Sequence, residues 1–394
     1  MFTFVNKQIL MDLQSLFNHY KEDSLYGRYI TLQHIEPLIN QLKESFKVRI
    51  AGYSVQGKPI YSIVAGSGKQ RIFMWSQMHG NESTTTKAIF DLLNLLKSNN
   101  EAALKLKADF TFHILPMVNP DGAELYTREN ANNIDLNRDS VGLSQPESQI
   151  LRREFEAFQP HFCYNMHDQR SIFGVGEGKP ATVSFLAPSY NEERDINNNR
   201  QIAINLIAAM NDTLQQYIPG QIGRFDDSFN INCIGDMFQS LGVPTVLFEG
   251  GHYQDDYFRE STRKYLFFAL LSGFNAVREG IAAVNKSSDY FNIPENRIIF
   301  YDMLYKNVKI NYENTEKVTN FASHYKEVLF ENSVKLEAYI KEIGELEGIY
   351  GHVEYDCVGG LFTDKNGNHL PIIEQKADFN IGFDKKFVNG IINN

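Results

Sequence analysis

Cysteine is scarce in this chain: Cys163, Cys233 and Cys357 are the only three in 394 residues, far apart and odd in number. That usage excludes a disulfide framework and a thiolate metal cluster. Two of the three fall in apolar runs and read as small core residues. Long apolar runs are missing as well, since nothing approaches the roughly 18 consecutive apolar residues that a membrane span needs. The opening stretch, MFTFVNKQILMDLQSLFNHYKED, lacks a positive region followed by an apolar one and a small-residue cleavage site, so the expected location is cytoplasmic. Basic charge is in the minority, with 38 Lys and Arg against 48 Asp and Glu and a net charge of -10. With no concentrated basic stripe, neither a nucleic acid nor a membrane is an expected partner. Repeats and low-complexity tracts are also lacking.

What the chain does have is apolar and aromatic mass: 43% apolar residues, with 29 Phe and 20 Tyr, enough to bury a large core. The spacing of Leu10, Leu13, Leu16 and Phe17, and then of Ile35, Leu38, Ile39 and Leu42, predicts helix within residues 1–45, packed on the outside of a sheet. Phe46 to Ala65 alternates about Gln56-Gly57-Lys58-Pro59 and reads as a hairpin. Arg71 to Met78 then reads as a buried strand, Ser83 to Asn99 as a helix, and Asp109 to Val118 as a strand ending in the turn signal Asn119-Pro120-Asp121-Gly122. A polar loop, a helix at Leu151 to Phe158, a strand at His161 to Met166, a long helix over 192–217, a strand at Val243 to Phe248 and a helix at Tyr265 to Ala283 complete the series. Strands alternating with helices predict an α/β fold with a doubly wound, mixed sheet. Composition changes at Asn285-Lys286-Ser287-Ser288 and Ile293-Pro294-Glu295-Asn296. The chain is therefore expected to divide into a domain of residues 1–285 and a small, mostly β appendage over 286–394.

Met78-His79-Gly80-Asn81-Glu82 joins the predicted central strand to its helix. His79 and Glu82 thus fall at the carboxyl end of a strand, where open α/β sheets place ligand chemistry. An imidazole and a carboxylate two residues apart can turn toward one point, and that donor set suits zinc. Alone the pair is a weak signal, because solvated turns produce it often. Three more predicted strand ends carry polar groups, however: Asn119 with Asp121, His167, and Glu249. A doubly wound sheet gathers such ends on one rim, so the joint pattern is more specific than any piece. Taken singly, Arg128 and Arg138 read as surface residues of a polar loop and His167 as a hydrogen-bonded structural histidine; His113, His161 and His252 are read as structural or solvated.

His79-x-x-Glu82, Asn119-Pro120-Asp121-Gly122, Arg128, Asn137-Arg138, His167 and Glu249 follow an order and spacing that resemble the zinc carboxypeptidases of the M14 (carboxypeptidase A-like) family. Ser54-Val55-Gln56-Gly57-Lys58-Pro59-Ile60 is similar to the turn before the metal strand there, and the likeness covers roughly residues 45 to 280. The resemblance implies a sheet of the zinc-carboxypeptidase type. It also implies Zn2+ held by His79, Glu82 and His167, Glu249 as general base, Arg128 facing the scissile carbonyl oxygen, and Asn137 with Arg138 on the terminal carboxylate of a peptide. The chain departs from the family's digestive members at Asn81, where they carry Arg, and in GRFDDSFNINCIGDMF, which offers Phe225 and Phe229 but no Tyr. Asp236 in that stretch reads either as a pocket residue or as a solvated or capping one. His-Gly-Asn-Glu with Asp135-Leu136-Asn137-Arg138 is also similar to aspartoacylases and succinylglutamate desuccinylases, which implies a zinc amidohydrolase acting on N-acyl amino acids as the alternative. A non-enzymatic binding protein is the third reading, and the filled ligand and base positions argue against it.

Overall fold

Alternation of apolar side chains along a few short strands decides which of two cores each residue enters. The computed structural model describes residues 13–313 and 315–393, and the expected helical positions before Leu13 lie outside the described residues. Residues 13–20 are helical, and helix α1 (Leu32–Leu42) follows with Ile35, Ile39 and Leu42 buried. Strands β1 (Lys47–Tyr53) and β2 (Pro59–Gly66) pair antiparallel as a hairpin, with Tyr53 opposite Pro59. Strand β3 (Gln70–Ser76) then leads through the His79 turn into α2 (Thr84–Lys97). A helix not expected from the sequence, α3 (Glu101–Asp109), precedes β4 (Phe110–Leu115).

The remaining elements of this unit are α4 (Pro120–Leu125), α5 (Pro146–Phe158) and β5 (Phe162–Asp168), then, after an excursion described below, β8 (Val183–Leu186), α6 (Asn198–Leu214) and β9 (Ile222–Arg224). Helix α7 (Ile234–Ser240), β10 (Thr245–Gly250), α8 (Glu260–Arg278) and α9 (Ser287–Phe291) complete it. Eight strands form one mixed sheet in the order β1-β2-β4-β3-β5-β10-β8-β9. Its middle, β4, β3, β5 and β10, is parallel, so the carboxyl ends of those four strands share a rim.

Both faces of that middle are covered, which is why its strands read as continuous apolar runs. Ile72 and Met74 of β3 enter one core with Phe112, Tyr164, Phe248 and the inner faces of α1, α2, α6 and α8. Phe73 and Trp75 enter the other, with Leu115, Cys163, Leu151 and Phe155 of α5 and Phe238 of α7. There the rings of Phe155 and Phe238 stack at 3.9 Å.

A second compact unit consists of Arg170–Pro180 and the residues from Arg297 on. The division therefore falls after Asn296 rather than at 285, and it takes in a segment between β5 and β8 that the sequence reading left in the first domain. Contacts explain both features. Tyr290 of α9 is fully buried and its hydroxyl accepts from Ala187 N at 3.1 Å, and Asn296 N donates to Arg224 O at 2.9 Å, so 286–296 is held in the first unit. In the second, β6 (Phe173–Val175) pairs with β7 (Lys179–Pro180) and with β11 (Arg297–Ile298). Strands β12 (Phe300–Tyr312), β13 (Thr315–Phe330), β14 (Ser333–Gly344) and β15 (Tyr350–Asp356) make a four-stranded sheet ordered β14-β13-β12-β15. A further four short strands between Phe362 and Ile392 form another sheet, and Tyr305, Phe321, Phe362, Phe379 and Phe387 build an aromatic core. This unit is almost wholly β.

Candidate metal centre

The turn that carries His79 and Glu82 is shaped by backbone contacts with the next strand's end. Val118 N donates to Ser76 O at 3.1 Å and Asn119 N to Gln77 O at 3.0 Å. The Asn119 amide nitrogen reaches Met78 O at 3.2 Å. At Gly80 the chains touch so closely that a Cβ would lie 2.0 Å from the carbonyl carbon of Gly122, a distance that admits only glycine. The Asn-Pro-Asp-Gly segment is thus not a free turn with reactive groups. It begins α4, with Asn119 Oδ1 accepting from Gly122 N at 2.9 Å as the helix cap. Asp121, fully buried, accepts from Ser54 Oγ at 2.9 Å and Gln56 N at 3.0 Å, which ties the β1–β2 hairpin to this turn. The polar groups at this strand end brace the metal turn and the hairpin, and neither Asn119 nor Asp121 is among the three clustered donors.

His167 comes from the neighbouring strand, near the end of β5. Its Nδ1 lies 2.8 Å from Glu82 Oε2 and 3.1 Å from His79 Nδ1, and His79 Nδ1 is 2.9 Å from Glu82 Oε1. One donor atom from each of the three residues falls within 4.8 Å of the others. As a hydrogen bond, the two imidazole nitrogens can share one proton only. Around a tetrahedral zinc with Zn–N of about 2.0–2.1 Å they would stand about 3.3 Å apart. The other ring nitrogen of His79 is 3.0 Å from Asp135 Oδ1, the kind of carboxylate contact that fixes a metal-binding imidazole with its free nitrogen inward. These residues fit a zinc ion.

Charge follows the same geometry. Burial pushes the Glu82 carboxyl up, but the two imidazoles outweigh it and hold the group well below the usual carboxylate range. Burial likewise opposes a charged His79, yet Glu82 and Asp135 raise its proton affinity. Burial dominates at His167 and lowers it. Asp168, the next residue, is buried and accepts from Thr84 N at 2.8 Å, so the strand that carries His167 also caps the helix that follows His79 and Glu82.

Glu249 lies on β10, in register beside His167 on β5. Burial, then the negative charges of Glu82 and Asp168, raise its carboxyl well above the ordinary range, and its Oε2 has no hydrogen-bond partner. Arg128, in the loop after α4, donates Nε and Nη2 to Asp135 Oδ2 at 3.1 and 3.0 Å, and its Nη1 lies 3.4 Å from Glu82 Oε1. Asn137 and Arg138 occupy a 3-10 turn at Leu136–Arg138. Asn137 Oδ1 accepts from Ile234 N at 3.0 Å, at the start of α7, and Arg138 is exposed with Nη1 on Asn137 O at 2.8 Å. Asp236, in the first turn of α7, is buried, and that burial pushes its carboxyl up to about 7 against the opposing pull of Cys233 and Arg138.

Sequence reasoning did not assign roles to Asp135 and Asp168. A carboxylate two residues before Asn137 and another directly after His167 were visible signals, but the partners that give them meaning are remote in the chain. The other histidines stand apart from the cluster. His113 bonds to Ser62 Oγ at 2.7 Å and pairs with Glu154 at 3.2 Å, and His161 accepts from Arg71 N at 3.2 Å. His252 is buried with its ring against Tyr257. Asn81 donates its backbone N–H to Thr127 O at 3.1 Å.

Comparison with known proteins points the same way. Residues 31–172 match the family model described as zinc carboxypeptidase, a range that contains His79, Glu82, Arg128, Asn137, Arg138 and His167 and ends before Glu249. The probable carboxypeptidase 2 of Arthroderma benhamiae is 34% identical over 102 residues, 26% of this chain and 19% of that protein. Carboxypeptidase E of Caenorhabditis elegans is 28% identical over 203 residues, 44% of this chain and 43% of its own length. The match therefore spans about a fifth of the fungal relative and under half of the nematode one. Among solved structures, a putative carboxypeptidase A from Shewanella denitrificans shares the fold at a TM-score of 0.53 and 18% identity, over 63% of this chain and 69% of that one. Bovine thrombin-activatable fibrinolysis inhibitor, solved with a tick carboxypeptidase inhibitor, does so at 0.51 and 14%, over 66% and 99%. Residues 31–172 thus match the zinc carboxypeptidase model, and the architecture of the chain is shared with solved carboxypeptidases.

Proposed function

We propose that the chain is a zinc-dependent metallocarboxypeptidase, which hydrolyses the last amide bond of a peptide with a free terminal carboxylate. The observation that carries this reading is the meeting of His79, Glu82 and His167 with the buried carboxylate of Glu249 on the adjoining strand. A zinc ion bound there supplies Lewis-acid polarisation of the scissile carbonyl and a water of lowered pKa. Glu249 takes the proton of the attacking water and delivers it to the leaving amine. Its buried setting, which raises proton affinity, suits a group that must hold a proton between those two events.

Arg128 stabilises negative charge as it develops on the carbonyl oxygen. Asp135 grips one edge of its guanidinium and His79 with the other oxygen, so a single carboxylate sets the position of both. Arg138 and Asn137 bind the substrate's terminal carboxylate. The bond from Ile234 N to Asn137 Oδ1 fixes the amide so that Nδ2 is the end offered to an anion, and a planar guanidinium can add a bidentate contact.

The test uses zinc-loaded protein and matched peptides with free and amidated carboxyl ends. The expected result is stepwise release of the terminal residue from the free peptide and a rate about 10- to 100-fold lower on the amide, the loss of a charge-assisted contact. Equal rates contradict the proposal. Turnover confined to N-acyl amino acids would assign the site to the acylase chemistry instead.

A further inference from the structure

Beyond the last rung of the β5–β10 ladder, Gly250 opposite Asp168, a single backbone bond, from Gln169 N to Gly250 O at 2.9 Å, still joins the two strands that carry His167 and Glu249. Parallel ladders leave carbonyls exposed there, and a buried carbonyl needs a donor. One side chain donates to a carbonyl on each strand. Arg259 donates Nη1 to Gly250 O at 2.9 Å and Nη2 to Gln169 O at 3.1 Å, and Gln169 N in turn donates to Gly250 O at 2.9 Å. The guanidinium thus bridges the residue after Glu249 and the second residue after His167. It is buried, with 2% of its surface exposed.

The backbone of Arg259 adds an independent observation. It sits at φ +61° directly before α8, in the left-handed region where glycine or asparagine is the easy choice. Helix capping does not require an arginine there, because Asp256 already accepts from Glu260 N at 3.0 Å and Ser261 N at 2.6 Å. A long cationic side chain held in an unfavourable conformation, when the cap is provided elsewhere, points to work done by the side chain. Lysine is a poor substitute, since its ammonium is a point charge on a flexible stem and lacks the fixed fork that holds two carbonyls at a set spacing.

We infer that Arg259 is a positioning residue, which locks the carboxyl ends of β5 and β10 in register and so sets the placement of Glu249 relative to the metal ligand His167. The inference rests on the proposed carboxypeptidase reading. It touches neither substrate nor the donor atoms of the three ligands.

The experiment compares wild type, Arg259→Lys and Arg259→Ala for kcat and KM on a C-terminally free peptide, and for zinc affinity by competition with a chromophoric chelator. Misplacement of the base by a fraction of an ångström predicts a kcat lower by on the order of 10- to 100-fold. KM and zinc affinity are expected to stay within about threefold, since Arg138, Asn137 and the three ligands are untouched. Added guanidinium ion is expected to restore part of the kcat of Arg259→Ala and none of that of Arg259→Lys. An unchanged kcat in Arg259→Lys overturns the inference. So does a loss of kcat that excess zinc repairs, which would make the arginine a support of the metal site alone. Failure of both variants to give a cooperative thermal transition assigns the arginine to general folding and overturns it too. A wild type that releases no terminal residue defeats the proposed function first, and the inference with it, whereas an active wild type matched by Arg259→Lys defeats only the inference.

Discussion

Glu249 is half-buried, with its Oε2 out of reach of solvent, near the acids Glu82 and Asp168 and short of a partner, an arrangement that costs stability and is kept where chemistry needs it. Replacing it with glutamine keeps the shape and removes the proposed base. Glu249→Gln is expected to bind zinc as wild type does and to lose kcat by on the order of 10²–10⁴-fold, read by steady-state kinetics. The same substitution has a consequence without metal. The folded carboxyl is raised above its unfolded value, so the native state binds more protons than the unfolded chain above roughly pH 4.3, and stability falls as pH rises through that window. Metal-free Glu249→Gln should therefore melt higher than metal-free wild type near neutral pH, with the gap closing as pH falls below about 4.3, where the wild-type carboxyl is protonated in the folded and unfolded chain alike. Asp135 is the second residue whose removal is informative. Asp135→Ala frees both the His79 ring and the Arg128 guanidinium, and zinc affinity is expected to fall about 10- to 100-fold in a chelator competition. Unchanged affinity would show that the imidazole needs no such support.

At the scale of elements, the periodic parts were legible and the tertiary reasons for polar residues were not. The apolar run of β3 and the helical spacing of α2 correspond to the observed strand and helix. Yet α2 has no solvated polar face of the kind its pattern suggests. Lys87 is buried against Glu260 at 2.6 Å, and Asp91 against the Arg263 guanidinium, whose Nη1 and Nη2 also hold Leu25 O and Glu22 O. Those partners come from α8 and from the segment before α1, and no local pattern reveals them. Strand ends were placed early for a related reason: His167 and Glu249 are polar, but each has ladder partners on the adjoining strand, so β5 and β10 run on to Asp168 and Gly250. The Asn-Pro-Asp-Gly segment and the Ser54–Pro59 turn looked like separate signals and are one assembly joined by Asp121. Asp121→Ala leaves Gln56 N and Ser54 Oγ without their acceptor and is expected to cost about 1–3 kcal/mol, measured by urea unfolding. A cost near zero would mean that water replaces the carboxylate.

For the molecule as a whole, the change of composition near 285 signalled a second unit, while its true extent depended on pairings across the sequence. Residues 170–180 join it because β6 finds β11, a contact between segments more than a hundred residues apart that no local signal carries. No helix among the described residues is long and apolar enough to cross a membrane. Binding of zinc to the native state alone raises global stability by RT ln(1 + [L]/Kd), about 4 kcal/mol at a thousandfold excess over Kd. Zinc-loaded protein is accordingly expected to melt several degrees above protein treated with chelator, by calorimetry, and equal melting points would argue against a native-state site.

The central claim is that His79, Glu82 and His167 close on one cation. X-ray diffraction at the zinc absorption edge, from crystals grown with one equivalent of zinc, tests it most directly. The account predicts a single strong anomalous peak about 2.0–2.2 Å from Nδ1 of each histidine and from a Glu82 oxygen. A peak elsewhere, or none at that point, would contradict it.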